Sequence, residues 1–584
     1  MKMQKKIKNP TEDNRMKMNE RIRIGVLGCG LFSKHFVQLF KAHPYVDKVS
    51  VADLDIERAK AFGEEFGIEY YRTLDELLET DINAVAIFTP RHTHGPLVIQ
   101  ALKAGRHVYS AVPMASEISH CEEIVKLVKE TGLTYMMGET CIYYPCSMYC
   151  KEQFEKGEMG KFVYAESQYH HDISHFEKAH RDDLKAMGVP PFYYPTHSIS
   201  MVLNAVGSYV TKVTAMGYED TEDDLIFKKG VNMWDNTISN AFSMMRLANG
   251  GVMRINECRR IAWKAPSSSI SAFYGTKGAY QFSNAQHVFV KHTEEGVELT
   301  DVSDYVNPVD MTAHKNDPDF KNQVANHMWQ WDSFAPIQTP DVLPESYKDL
   351  PNGHMATHQF LINDFCNAVH NHTLPTVNAW VAARYTVPGI VAYDSILQGG
   401  VTLDVPDFGD PPAPEKLPQL IMRAPDLSKL PPINLPEGMT IHTHRDGDEA
   451  SWEEIIESSF GQKFDFGLLD RLGDYKPEHV IYVEKDGKNI ATATAVENQA
   501  YPGEGWFRMI GTHADARGLG AGRLVCLAAL HSLRDRGYKS AVLSTDDYRI
   551  PALKLYLSLG FEPVYSHESH KARWEKVFET IKKA

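Results

Sequence analysis

Three successive patterns of apolar and polar positions run along the chain. From Ile22 to Gly138, short continuous apolar runs alternate with stretches of helical period. Ile22–Leu27, Val49–Ala52, Ala84–Phe88, His107–Ser110 and Leu133–Gly138 predict strands buried on both faces. Between them, the stretch holding Phe36, Leu39 and Phe40, then Ile56–Phe66, Gly95–Ala104 and Ser119–Glu130 predict helices. Capping boxes at Thr73–Glu76 and Ser119–Glu122 open two of the helical segments. Such alternation predicts a doubly wound parallel sheet, an α/β domain over residues 21–145.

The pattern changes near Lys161. Phe162–Tyr169, Val213–Met216, Asn240–Arg246, Gly251–Asn256, Ser269–Tyr274 and Val288–Lys291 alternate at period two, with turns between them. They predict an open, largely antiparallel sheet and an α+β domain over 146–400, helical again from His354 to Leu397. Residues 401–438 hold nine prolines and read as a semi-rigid linker. In the third pattern, Val480–Val483 and Ile490–Ala495 form a hairpin through Lys485-Asp486-Gly487-Lys488. Strands at Phe507–Gly511 and Ser540–Ser544 flank a helix ending near Arg536, which predicts a separate α/β unit over 439–584.

Composition narrows the function classes. A chain of 584 residues is too long for one core. Its 43% hydrophobic and 23% charged residues are those of a soluble globular protein. A net charge of −15 excludes phosphate-backbone binding as a main activity, so no nucleic-acid partner is expected. No apolar run is long enough to span a membrane. The polar, lysine-rich start has no apolar h-region and reads as a disordered tail over 1–20. Eight scattered cysteines with no C-x-x-C pair suit free thiols in a reducing cytoplasm, and no metal site is expected.

Candidate chemistry begins at the first strand's end. Gly28 permits a tight turn, Gly30 lets a pyrophosphate approach, and the helix starting with Leu31 and Phe32 directs its N–H groups at the phosphates. The third glycine of the usual pattern is Ser33. Asp53, ending the next strand, sits where a carboxylate accepts from a ribose 2′-hydroxyl and repels a 2′-phosphate, which favours NAD over NADP. Ligands of such sheets lie beyond the strands' carboxyl ends, so Thr89, Pro90, Arg91, His94, Ala111, Val112, Pro113, Glu139 and Thr140 are further cofactor candidates. A second glycine-rich helix start carries Arg517, Gly518, Gly520 and Gly522. It follows a hairpin-built sheet, so it suits a pyrophosphate outside a dinucleotide fold.

Residues 21–400 resemble the Gfo/Idh/MocA oxidoreductases through Gly28-Cys-Gly30 with Asp53, Thr89-Pro90 with His94, and Ala104-Gly-Arg-His-Val108. The resemblance implies a Rossmann domain, a second domain that holds a sugar or polyol, and hydride transfer to nicotinamide. Members usually carry a lysine in the next loop, where this chain has Ala111-Val112-Pro113. The usual Asp-x-x-x-His pair reads Tyr193-Tyr-Pro-Thr-His197. Val112-Pro113, Met136-Met137-Gly-Glu139, Tyr169-His-His171-Asp172 and Tyr194-Pro-Thr-His197 resemble the branch of NAD-dependent α-N-acetylgalactosaminidases. That branch implies redox-neutral glycoside cleavage, with Tyr194 as base, helped by a depressed pKa or a neighbouring cation. His197 would take the hydroxyl proton, Tyr169 and His171 would hold the substrate, and Arg181 a polar substituent. Open sheets in this family pair face to face, which implies a homo-oligomer by analogy.

The C-terminal unit resembles the GNAT acetyltransferases through Arg517-Gly-Leu-Gly-Ala-Gly522 and Ala552-x-x-x-Tyr556-x-x-x-Gly560-Phe561. The resemblance implies acetyl-CoA as cofactor, an amine as acetyl acceptor, and Tyr556 protonating the CoA thiolate. Arg549 replaces the family's asparagine, and Glu484 or Asp546 are candidate bases. Blander roles suit the same residues: a packed turn at Tyr194–His197, a hydrogen-bonded loop at His170–Asp172 with His175, and a core aromatic at Tyr556. Trp234–Asn236 and Arg259–Arg260 suit either pocket lining or sheet edge. A plain sugar dehydrogenase, or a nucleotide sensor with an active acetyltransferase, fits the same sequence.

Overall fold

The structure is a computed structural model. It describes residues 21–173, 187–261, 268–283, 286–294, 296–306, 334–350, 352–353, 356–413, 417–471, 476–497, 500–567 and 569–583. The chain divides into two compact units, residues 1–414 and 415–584.

The first unit opens with six parallel strands: β1 (Ile22–Leu27), β2 (Val46–Ala52), β3 (Glu69–Tyr71), β4 (Ala84–Ile87), β5 (His107–Ser110) and β6 (Tyr135–Met137). Their spatial order is β3-β2-β1-β4-β5-β6. Every residue of β4 and β5 is buried, as continuous apolar runs require when helices cover both faces. Leu27 lies level with Ala52 and with Ile87, so the turns after β1, β2 and β4 emerge side by side. The helices between are α1 (Leu31–Ala42), α2 (Ile56–Phe66), α3 (Leu74–Leu78), α4 (His94–Lys103) and α5 (Ile118–Thr131). Thr73 caps α3 by accepting from the Glu76 N–H, while Glu76 reaches the Arg72 N–H rather than Thr73. The expected Ser119 cap does not form: α5 starts at Ile118, and the Ser119 hydroxyl donates to Glu117 instead.

A nine-stranded sheet follows: β7 (Phe162–His170), β8 (Val210–Glu219), β9 (Ile238–Leu247), β10 (Val252–Cys258), β11 (Ser268–Gly275), β12 (Gly278–Ser283), β13 (Gln286–Thr293), β14 (Gly296–Asp301) and β15 (Leu403–Asp404). Its order is β14-β13-β12-β11-β7-β10-β9-β8-β15. Only the central β7–β10 pair is parallel. β14 is exposed at every position, so the short alternation of Val297 and Leu299 with Glu298 and Thr300 does not mark a buried face. The late helical stretch serves both layers. Helix His358–Asn371 returns to the first sheet, burying Leu361, Phe365 and Cys366 in one cluster with Phe36, Phe40 and Tyr109. Helix Ala379–Leu397 lies in the core beneath the second sheet.

The second unit holds β16 (Leu420–Ala424), β17 (Met439–Thr443), β18 (Val480–Lys485), β19 (Lys488–Glu497), β20 (Gly505–Thr512), β21 (Ala541–Thr545) and β22 (Glu562–Val564). Their order is β17-β18-β19-β20-β21-β16-β22. This corrects the linker expected over 401–438. β15 belongs to the second sheet, and β16 sits inside the third, antiparallel to both β21 and β22. The prolines flank Leu420–Ala424 without interrupting it, so that segment keeps its donors and alternates buried with half-buried positions. Met422 is fully buried. Met422→Ala should cost the second unit about 2–5 kcal/mol, read as a shift of its unfolding midpoint in denaturant. β20 and β21 pair only over Gly505–Trp506 with Ala541–Val542, and their pairing ends beyond those positions.

Candidate active sites

The turn after β1 is built around Gly28, whose φ of +99° suits glycine alone. A Cβ there would stand 2.9 Å from the Phe88 carbonyl carbon and oxygen. Nothing lies within 4 Å of a Cβ at Gly30, so the start of α1 is open. Gly30 is the N-cap and offers no side-chain hydrogen bond, which leaves first-turn N–H groups for a ligand. Leu31 and Phe32 flank that opening, 72% and 40% exposed. Asp53 accepts the Cys29 N–H at 2.8 Å and the Asp55 N–H at 2.9 Å, so it both fixes the turn and presents a carboxylate beside it. This cradle fits a dinucleotide pyrophosphate and ribose.

His94 departs from expectation. It is 1% exposed, with Nδ1 2.8 Å from the Pro113 carbonyl oxygen and Nε2 2.8 Å from that of Thr89. It braces the turns after β4 and β5 rather than facing a ligand. Burial holds its imidazole pKa down, against the pull of both carbonyls. Thr89 Oγ1 pairs with Thr93 Oγ1 at 2.6 Å. Val112 and Pro113 are buried, Ala111 half-buried, and Thr140 lies buried in the turn Thr140–Tyr143.

Beyond β6 the two layers of the first unit meet. Glu139 is fully buried; its Oε1 accepts from the Cys141 N–H at 2.9 Å and lies 2.7 Å from His197 Nδ1. His197 Nε2 lies 3.1 Å from the Tyr194 hydroxyl. Carboxylate, imidazole and phenol thus form one chain, with Glu139 favouring the tautomer that carries a proton on Nδ1. Burial works to raise the Glu139 pKa, but the charge and hydrogen bond of His197 and the Cys141 N–H bring it below the usual range. Helix Thr196–Val206 holds His197, 4% exposed, in its first turn. Gly389 lets helix Ala379–Leu397 press on the Tyr194 turn: a Cβ there would stand 2.3 Å from Pro195 Cγ and 2.4 Å from the Phe192 carbonyl oxygen.

The neighbouring cation expected for Tyr194 is Arg91, whose guanidinium lies 4.2 Å from the ring centroid. The depressed pKa is not there: burial raises the phenol, and Arg91 only opposes it. His197 is correspondingly screened behind Tyr194 rather than open to a substrate. Tyr169 stands 5.7 Å from the Tyr194 ring and 5.2 Å from His197, and stacks on His171 at 5.2 Å. Arg181 and His175 lie outside the described residues. Arg259 is buried, 5.2 Å from the Tyr169 ring, whereas Arg260 pairs with Asp220 and Asp224 on the outer side. Asn236 is structural, bonded to the Gly188 and Ile238 backbone and to the Tyr393 hydroxyl.

Sequence reasoning missed Glu257, buried on β10 beside this chain. It accepts from the Ser198 hydroxyl and lies 3.2 Å from Arg259 Nη2. Its one signal is a carboxylate at an otherwise buried stretch, Ile255–Cys258. Burial pushes its pKa up to about 8, against Arg259 and Ser198. A carboxyl raised from 4.5 binds more protons folded than unfolded, so its contribution to stability falls as pH rises from about 4.5 to about 8. Glu257→Gln should flatten that slope, measured as denaturant midpoints at pH 5.5 and 7.5.

Glu139, Cys141 and His197 also bring ligand atoms within 4.8 Å of one another. Burial holds the Cys141 thiol well above its usual pKa, and the His197 Nδ1 that a metal would need is taken by Glu139. The donor set therefore suits a proton path better than a metal ion.

In the second unit Gly518 and Gly520 adopt left-handed conformations, φ 84° and 81°. Gly520 is the N-cap of helix Ala521–Asp535, again without a side-chain cap, and Gly522 packs toward Thr512. Arg517 is exposed and donates to the Ser458 carbonyl at 3.3 Å. This cradle fits the pyrophosphate of CoA. Tyr556 is buried between Phe507 and Phe561, and burial raises its pKa, which keeps the phenol protonated at neutral pH. Arg549 is tied to Asp546 and lies over Phe460, while Glu484 is engaged by Arg445 and His442.

Two nucleotide cradles on two folds define an enzyme that joins an oxidoreductase-type Rossmann domain to an acyl-CoA transferase domain. Residues 22–139 match the oxidoreductase family with an NAD-binding Rossmann fold, Gfo/Idh/MocA, and residues 449–561 match the GNAT acetyltransferase family. The chain thus carries an NAD-binding domain of the first family and, C-terminal to it, an acetyltransferase domain of the second. A "Glycosyl hydrolase family 109 protein" of Streptomyces filamentosus is 24% identical over 429 residues, 66% of this chain and 77% of its own length. A "Mycothiol acetyltransferase" of Thermomonospora curvata is 35% identical over 143 residues, 23% of this chain and 48% of that protein. The chain spans between about half and three quarters of such relatives' lengths. The solved levoglucosan dehydrogenase–NADH complex superposes with a TM-score of 0.51 at 18% identity, over 66% of this chain and all of that one, which shows the shared fold.

Proposed function

We propose that the first unit cleaves a glycoside by redox-neutral oxidation and elimination, and that the second transfers acetyl from acetyl-CoA to an amine. The observation that carries the first reading is the hydrogen-bonded Glu139–His197–Tyr194 chain, buried at Glu139 and His197 and half-buried at Tyr194. NAD held by Gly28, Gly30, Leu31, Phe32 and Asp53, with Arg91 and Ala111–Pro113 nearby, would accept a hydride from a sugar carbon and later return it. Tyr194 is the half-buried end of the chain and faces the substrate; its proton passes to His197 Nε2, and Glu139 stabilises the imidazolium. The two roles read separately for Tyr194 and His197 thus merge into one relay. The relay takes the proton of the hydroxyl being oxidised. The resulting ketone acidifies the adjacent C–H, whose proton leaves by the same route. The C1–O bond breaks and the leaving alkoxide takes one of these two protons; water adds at C1 while its own proton goes to C2, and when the hydride returns to the carbonyl carbon the relay's other proton restores the hydroxyl. Tyr169, His171 and Arg181 hold the sugar.

This reading draws support from the glycosyl hydrolase relatives. A plain sugar dehydrogenase would use the same cradle, and levoglucosan dehydrogenase, which shares the fold, motivates that second reading. Incubation with para-nitrophenyl glycosides, with and without added NAD, separates them. Nitrophenol release without NADH build-up is expected; NADH build-up from free sugars without cleavage overturns the elimination scheme.

For the second unit, Gly518–Gly522 and Arg517 bind acetyl-CoA and Tyr556 protonates the departing thiolate. The outer face of the second sheet exposes Met216, Tyr218, Phe242 and Met244, which supports pairing of two copies. All eight cysteines are buried free thiols, in keeping with a reducing cytoplasm. Among the described residues no helix is long and apolar enough to cross a membrane.

A further inference from the structure

The acetyltransferase unit carries buried polar groups that the CoA cradle and Tyr556 leave unused. Phe507 of β20 packs against Tyr556 and Phe561 on one face of the sheet. Successive strand residues face opposite ways, so Arg508 lies on the other face. There it stands directly across from Thr494 of β19, which is itself level with Val480 of β18. Trp452, Tyr482 and Met509 cluster with Val480 on this face.

Three polar atoms there are buried without a hydrogen-bond partner among the described residues: Arg508 Nε, Thr494 Oγ1 and Trp452 Nε1. Arg508 forms no ion pair with any described residue, and burial alone pulls its guanidinium below the usual range. Two of the three are obligate donors and the third is a hydroxyl that can donate. A half-buried guanidinium with no counter-charge among the described residues calls for an anion, and its planar fork suits an oxyanion. The position matters as well. Met509, with φ 45°, bulges β20 just after its pairing with β21 ends, so Arg508 borders the opening between the two strands.

We propose that Arg508, Thr494 and Trp452 form a subsite for an oxyanion, carboxylate or phosphate, on the acetyl acceptor. The second unit then acetylates amines that bear an acidic group, in preference to neutral ones. This deepens the acetyltransferase reading above and rests on it. In the transfer the acceptor's amine lone pair forms the C–N bond to the acetyl carbon, and the C–S bond breaks. The thiolate takes the Tyr556 proton, and the proton shed by the new ammonium returns through solvent to Tyr556.

The test follows free thiol release from acetyl-CoA by the full chain with matched amine pairs. One pair sets an α-amino acid against its carboxamide, the other an amino sugar phosphate against the unphosphorylated amino sugar. The acid-bearing member of one pair should be favoured about 10- to 100-fold in kcat/KM, and which pair responds tells carboxylate from phosphate. Arg508→Gln should collapse that ratio, mainly through KM, and Arg508→Lys should restore part of it. Thr494→Val, nearly equal in volume, should lower the ratio too and serves if Arg508→Gln does not fold. Equal turnover of both members, or a preference that survives Arg508→Gln, overturns the proposal. Failure of acetyl-CoA to bind at all, read by calorimetry, overturns the acetyltransferase reading itself.

Discussion

Tyr194→Phe should lower nitrophenol release by about 10²–10⁴-fold while leaving NAD affinity near wild type. The substitution removes one hydroxyl and keeps the ring, so the Arg91 contact at 4.2 Å and the neighbouring Tyr169 ring persist. What disappears is the hydroxyl that lies 3.1 Å from His197 Nε2. The imidazole is 4% exposed and cannot take over. Because burial raises the phenol, Tyr194 gains basicity only as its proton shifts to His197, and Glu139 must remain ionised to hold the resulting cation. NAD binding measured by fluorescence, beside nitrophenol release, separates loss of chemistry from loss of cofactor. Activity within tenfold of wild type would sink the relay.

The second large effect is expected at the first turn. Gly28→Ala places a Cβ 2.9 Å from the Phe88 backbone in a conformation that L residues avoid. Strain of about 1–3 kcal/mol should lower stability and weaken NAD binding roughly 10- to 100-fold. Gly30→Ala is the contrasting case. Its Cβ meets nothing within 4 Å, so stability should hold while NAD affinity falls, because the methyl occupies space meant for phosphate. Denaturant unfolding of both variants without cofactor, followed by NAD titration, checks this pair. If Gly30→Ala binds NAD as wild type does, the pyrophosphate does not cross that turn.

The parallel sheet was legible because buried strands leave continuous apolar runs and their turns carry glycine and an acid at fixed places. β5 matches its sequence reading residue for residue. The proton relay was legible only in part. Tyr194 and His197 lie close in sequence, but Glu139 meets them through a fold that brings the end of β6 to the helix Thr196–Val206. No local pattern encodes such a contact. His94 shows the opposite failure: a histidine in a ligand-lined turn reads as a ligand, yet two carbonyl oxygens claim both ring nitrogens. Glu257 was missed because a single buried acid does not disturb a strand's alternation enough to stand out.

β16 was hidden by the prolines around it, and those prolines matter during synthesis. The strand leaves the ribosome well before β21 and β22, the partners on its two sides, have been made. Until then it is an apolar segment with two unpaired edges, the kind that recruits strands from other nascent chains. Pro418 and Pro425 bracket it and Arg423 interrupts it, three features that discourage such pairing. This strand of the acetyltransferase sheet thus carries its own gatekeepers, which oppose pairing with other chains until β21 and β22 have been made.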